Sequence, residues 1–161
     1  MKIIRLPTHD LDVLVDDEDY ERVVVLTWHA KSMSSKYTYY ACHVKPRVKD
    51  KARVYILMHR FILGITDSKI LVDHRDRNGC NNQRYNLRMS TRSQNAANSK
   101  LFSNNTSGFK GVEPLPDGSF RARIMVRGRL LSLGTFLTSE KAAQAYEEGA
   151  RKHFGEFTRT K

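Results

Sequence analysis

The chain has 161 residues and a formal net charge of +11. That length suits one ordinary domain or two or three small ones, and no apolar run approaches the roughly 20 residues a membrane span needs. Cys42 and Cys80 form no C-x-x-C pair, so neither a structural zinc site nor a disulfide framework is supported. The opening "MKIIRLPTHD" lacks a signal-peptide core, which predicts a cytoplasmic protein. The charge is uneven. Residues 1–50 carry 8 Lys/Arg against 8 Asp/Glu, residues 51–100 carry 10 against 3, and residues 101–161 carry 10 against 6. A balanced start followed by a basic remainder predicts a polyanion partner for the later segments, although a basic surface can also serve solubility.

Residues 1–53 form the first segment. An acidic turn at Asp16 to Asp19 precedes a β-branched run, Val23 to Trp28, read as a strand. "KYTYYACHVK" is rich in strand formers. "ARVYILMHRFILG" starts as a strand and turns helical near Met58 to Leu63, with Gly64 as the stop.

The next segment, 54–100, reads strand, loop, strand, helix. "KILVDHR" is a strand, and "DRNGCNNQ" is dense in turn residues. "YNLRMS" is a second strand, and "STRSQNAANSK" is a short helix capped by Ser90 or Thr91. A linker at 101–106 follows.

Residues 107–161 predict a three-stranded antiparallel sheet packed on one helix. The strands are "SGFKGVEP", "FRARIMV" and "LLSLGTF", with Asp117-Gly118 and Gly128 at the turns. "SEKAAQAYEEGARKHFG" is the helix, with Ser139 able to cap it and Gly155 ending it. Ala143, Tyr146, Ala150 and Phe154 share a face. In "FRARIMV" the apolar Phe120, Ala122, Ile124 and Val126 alternate with Arg121 and Arg123. A basic sheet face of Arg121, Arg123 and Lys110, flanked by Arg127 and Arg129, suits a DNA groove; it also suits simple solvation.

Asp73 and His74 end the first strand of the 54–100 segment. A neutral His takes a proton from water, and an Asp holds a hard divalent cation. Phosphodiester hydrolysis uses both. On spacing alone such a pair is more often a salt bridge or a helix-capping pair, and loop asparagines are usually turn chemistry.

The elements "MHR", "VDHRDRNG", "NNQRYNLR" and "STRSQNAANS" occur in that order over residues 54–100, and this stretch resembles the HNH endonuclease family. "GFKGV", "LGTF" and "AAQAY" make residues 107–157 resemble the plant ethylene-response-factor (APETALA-type) DNA-binding domain. Together, with the acidic "VLVDDEDYERV" start, they resemble phage and bacterial HNH homing endonucleases. The resemblance implies an α+β chain: a β-rich N-terminal segment, a ββα-metal (His-Me finger) core and the C-terminal sheet and helix. It implies that His74 is the general base, that Asp73 is a metal ligand, and that Asn86 holds the loop in shape. Asn95 stands where the motif's last histidine is expected; its amide oxygen favours one Mg²⁺ or Mn²⁺ ion per site over zinc. His59 belongs to the "MHR" element and either packs or contacts phosphate or metal-bound water. Arg60, Arg75, Arg77 and Arg88 are expected to face phosphates. The implied partner is double-stranded DNA, with no small-molecule cofactor and no membrane; the lack of a long heptad run or amphipathic helix for an interface predicts a monomer on DNA, with a dimer through the first segment as the alternative. A DNA-binding regulator with an inactive HNH core is the alternative. Nothing in the sequence resembles an aromatic platform for single-stranded RNA.

Overall fold

The computed structural model describes residues 1–7, 9–32, 38–47, 49, 52–99, 101 and 104–159. Of the expected linker at 101–106, residues 102 and 103 lie outside the described residues, as do 36 and 37 of the expected "KYTYYACHVK" strand. The chain is α+β, with small antiparallel sheets and short helices in two compact units, Met1–Met89 and Ser90–Lys161. The division falls inside the 54–100 segment and groups its helix with the C-terminal sheet. No helix among the described residues is long and apolar enough to cross a membrane.

The first unit opens with a hairpin of β1 (Lys2–Leu6) and β2 (Leu11–Val15), whose register pairs Leu6 with Leu11. Helix α1 (Asp17–Val24) follows. Here the structure corrects the reading of Val23 to Trp28 as a strand. Asp17, Glu18 and Asp19 occupy the first helical turn, where carboxylates complement the positive end of the helix dipole. Val23 is buried in the core and its carbonyl accepts from Trp28 Nε1 at 2.9 Å. Tertiary burial outweighs the mild aversion of valine for helices. The remaining elements are β3 (His29–Ser32), β4 (Tyr39–Val44), β5 (Tyr55–Leu57), α2 (Met58–Ile62), β6 (Leu71–His74) and β7 (Leu87–Ser90). Strands β3, β4 and β5 form one sheet with β4 in the middle, and β6 pairs with β7. As expected, the strand before Met58 passes into a helix, and Gly64 stands just beyond it at φ 66°. Leu6, Val13, Val15, Val23, Trp28, Ala41, Met58, Ile62 and Leu87 build a common core.

In the second unit, α3 (Arg92–Asn98) is capped by Thr91, one of the two expected residues. Thr91 and Gln94 bond each other's backbone N–H in a capping box. The sheet runs β10 (Arg129–Phe136), β9 (Phe120–Val126), β8 (Val112–Pro114), all antiparallel. Helix α4 (Ser139–Phe154) buries Ala142, Ala143, Tyr146, Ala150 and Phe154, and small alanines let it lie close. Its cap is Thr138, whose hydroxyl accepts from Lys141 N, and not Ser139, which is already the first helical residue. Gly111, at φ 67°, leaves room for the Tyr146 ring where a Cβ would clash.

Candidate active site

The residues that carry the expected chemistry in the first unit lie on α2, β6, the loop from β6 to β7, and β7. Asp73 and His74 end β6 and are both buried, at 5% and 4% exposure. The 75–86 loop between the strands is tied from within by Asn86. Its side-chain oxygen accepts from Asp76 N at 3.0 Å, and its nitrogen donates to Asp76 Oδ1 at 2.9 Å and to the Asn81 carbonyl at 2.8 Å. The Arg75 N–H donates to the Asn86 carbonyl. A carboxamide offers both donors and acceptors, which is why an asparagine can close this loop at both sides.

His59, on α2, is also buried, and its ring meets that of His74 edge-on with centroids 5.1 Å apart. Tyr40 on β4 packs against both, 5.6 Å from His59 and 5.7 Å from His74. Burial forces His59 down to about 3, helped by the neighbouring His74 and by Arg60. Burial also pushes His74 below its ordinary value, while the Asn82 side chain and the Asp76 and Asp73 carboxylates pull the other way. Both imidazoles are therefore held neutral, the form that accepts a proton. Tyr40 is raised, by burial first and then by the Asp73 charge.

Sequence reading missed Tyr40 and Asn82. Tyr40 sits far upstream of the motif and bears no sign of its contact with the loop. Gly79 records that contact: a Cβ there would meet the Tyr40 ring at 2.8 Å and the Tyr39 carbonyl. The doubled Asn81-Asn82 was a signal, read only as turn chemistry. Asn82 is fully buried, with its side-chain oxygen 3.4 Å from His74 Nε2.

Asp73 is engaged by Arg88 of β7. The guanidinium places Nε at 2.8 Å and NH2 at 2.7 Å from Asp73 Oδ2, with both side chains buried. Among the described residues no group of three or more His, Cys, Asp or Glu side chains is arranged to hold a metal ion. The donor chemistry here fits a hard cation that takes one or two protein oxygens and completes its shell with water and phosphate oxygens. It does not fit a closed structural zinc site.

The other expected residues are dispersed. Asn95 lies on α3, in the second unit, and is exposed. Arg60 donates to the carbonyls of Ile70 and Asp67, both at 2.6 Å, and so braces the loop before β6. Arg75 is exposed, while Arg77 is half-buried with φ 63°. Lys110 donates to the carbonyls of Ala96, Ala97 and Ser99, satisfying the end of α3. Arg121 and Arg123 do share a face of β9, but both reach Glu113 Oε2 on β8, at 2.9 and 2.7 Å. Arg127 and Arg129 are exposed at the β9–β10 turn.

The acidic start has an internal task. Asp19, buried on α1, accepts from Arg84 Nε at 2.7 Å and from Arg22 at 2.9 Å. Asp16 accepts from the Arg84 N–H at 2.7 Å and from the Gln83 side chain at 3.0 Å. Strand β2 adds two backbone bonds to the loop, Leu14 N to Cys80 O at 2.9 Å and Asn82 N to Leu14 O at 2.8 Å. The N-terminal hairpin and α1 thus fix the segment that bears Asn82.

Over 105 residues the chain is 37% identical to a protein of Acanthamoeba polyphaga mimivirus named as an uncharacterized HNH endonuclease. The match covers 62% of this chain and 54% of that relative, so the chain matches about half of the relative's length. No protein-family model matches the chain, and no solved structure does.

Proposed function

We propose that the chain is an HNH-type endonuclease that hydrolyses phosphodiesters in double-stranded DNA with a divalent metal ion. The observation that supports this best is the buried His74, neutral and next to Asp73 at the end of β6, where the loop stapled by Asn86 begins. The similarity to a protein named as an HNH endonuclease points the same way.

In this reading His74 takes a proton from a water molecule as its oxygen attacks phosphorus. A bond from that oxygen to phosphorus forms, the bond to the 3′ oxygen breaks, and the leaving oxygen takes a proton from solvent. Asn86 keeps the loop in the shape that holds His74 beside the scissile phosphate. Asp73 would hold Mg²⁺ or Mn²⁺, which when bound supplies positive charge at the leaving oxygen. The second unit is read as the part that places the nuclease on its site, through Arg121, Arg123, Arg127 and Arg129, in the manner of a homing endonuclease. A monomer with one such site cuts one strand at a time, so supercoiled plasmid should pass first to the open circle.

The alternative is a DNA-binding regulator that does not cut, favoured by the Arg88 guanidinium already seated on Asp73. Incubation with duplex DNA and Mg²⁺, with and without chelator, separates the two. Cleavage that needs the metal, and that His74→Ala slows by about 10²–10⁴-fold without loss of binding, supports the enzyme. Binding without cleavage under every metal supports the regulator.

A further inference from the structure

The connection from β4 to β5 is not part of the site described above. Its sequence, "KPRVKDKAR" at 45–53, has five basic residues and one acidic. Lys45, Arg47, Lys49 and Arg53 are exposed, and none of them has an ion-pair partner among the described residues. This sets them apart from five other arginines of the first unit. Arg5 is paired with Asp10 and Asp12, Arg22 and Arg84 with Asp19, and Arg88 with Asp73, while Arg60 is spent on backbone carbonyls. Like charges crowded on one connection repel each other, and a polyanion relieves that repulsion.

The position of the connection selects the polyanion. The Lys45 N–H bonds to the Val54 carbonyl at 3.0 Å, so the β4–β5 ladder continues into the loop beyond the Val44–Tyr55 pair. The same two strands lead back to the candidate site. Tyr40 on β4 packs on His59 and His74, and β5 runs directly into the helix that bears His59. From Tyr40 to Lys45 is five residues of extended chain, roughly 16 Å at 3.3 Å per residue. Phosphates along one DNA strand are spaced about 3.4 Å along the helix axis. A duplex with its scissile phosphate at His74 and its axis along β4 carries phosphates about four to six nucleotides away at the height of Lys45.

We propose that Lys45, Arg47, Lys49 and Arg53 form a backbone clamp that neutralises duplex phosphates on one side of the cut, without reading sequence. This rests on the nuclease reading for the identity of the polyanion. The test is the salt dependence of binding by the full chain carrying K45A, R47A, K49A and R53A together, on a duplex that the unaltered chain binds and on an unrelated duplex. Thermal unfolding of the variant checks that these exposed substitutions leave the fold intact. Each phosphate that is no longer neutralised should lower the slope of log Kobs against log salt by about 0.9, so four lower it by about 3 to 4. Both duplexes should weaken by the same factor, and phosphate-ethylation interference four to six nucleotides from the cut should disappear. Exchanging Lys for Arg and Arg for Lys at the four positions should restore the slope. An unchanged slope in a variant that still folds, binds and cuts overturns the clamp while leaving the nuclease reading standing. A weakening confined to one duplex overturns it in favour of base reading. Failure of the unaltered chain to bind duplex DNA removes both.

Discussion

The Nε2 of His74 lies 3.4 Å from the side-chain oxygen of Asn82, whose amide nitrogen in turn lies 3.4 Å from the Gly79 carbonyl. A carbonyl can only accept, so the Asn82 amide must turn its NH2 to Gly79 and its oxygen to His74. Nε2 then carries the proton, and Nδ1 carries the basic lone pair. Asn82→Ala should lower kcat with little change in the KM for DNA, and the imidazole nitrogen chemical shifts of His74 should change from one tautomer to a mixture. A variant that keeps the single tautomer would show that Asn82 only fills space.

The Asp73–Arg88 pair is buried on both sides, and removing one partner strands the other charge. Arg88→Ala should therefore destabilise the fold by about 3–5 kcal/mol, as for other broken buried pairs. Denaturant unfolding measures this. Asp73→Ala should suffer a comparable loss and also remove Mg²⁺-dependent cleavage. A mild cost for both would mean that water reaches the pair and screens it.

His59 yields a pH prediction. Its ordinary value is 6.5 and burial lowers it to about 3 in the folded chain. Between those values the unfolded chain binds the extra proton, so acid favours unfolding. The contribution is intact above about pH 6.5 and is lost progressively as pH falls towards 3. His59→Phe, which keeps a ring against Tyr40, should flatten that part of the stability profile. A profile identical to that of the unaltered chain would mean that another group controls acid unfolding.

Arg121 and Arg123 converge on one Glu113 oxygen, each about one-third exposed. An ion pair this open contributes little to stability, typically within about 1 kcal/mol. Glu113→Gln should leave the melting temperature nearly unchanged and strengthen DNA binding by freeing both guanidinium groups. Arg121→Ala should cost about 1–3 kcal/mol of binding and relax selectivity at one position if it reads a base. A uniform loss across sequences would place it on phosphate.

The second unit was largely legible in advance because its signals are local. The Asp117-Gly118 turn, the alternation in "FRARIMV" and the alanine face of α4 each need only neighbouring residues. Asn86 was singled out by the resemblance to the motif, and its bonds to Asp76 and Asn81 stay within ten positions. What escaped depends on distant chain segments. Asp19 meets Arg84 across 65 residues, and no sequence period records that. Val23 and Val24 favour a strand in isolation but end a helix here, with Val23 buried in the core. Lys110 read as a member of a basic face, yet the carbonyl end of α3 claims it.

The two backbone bonds from Leu14 to the 80–82 segment bear on transplantation. A fragment cut from residues 54 to 100 would retain His74, Asp73, Asn86 and Asn95. It would lack β2, the Asp16 and Asp19 carboxylates, and Tyr40. Grafted onto another carrier, it would supply the motif's letters with the Asn82 strut unanchored and Arg84 without its carboxylates. Exchange of such cassettes between proteins, in the laboratory or in evolution, would have to take the chain from its first strand onward.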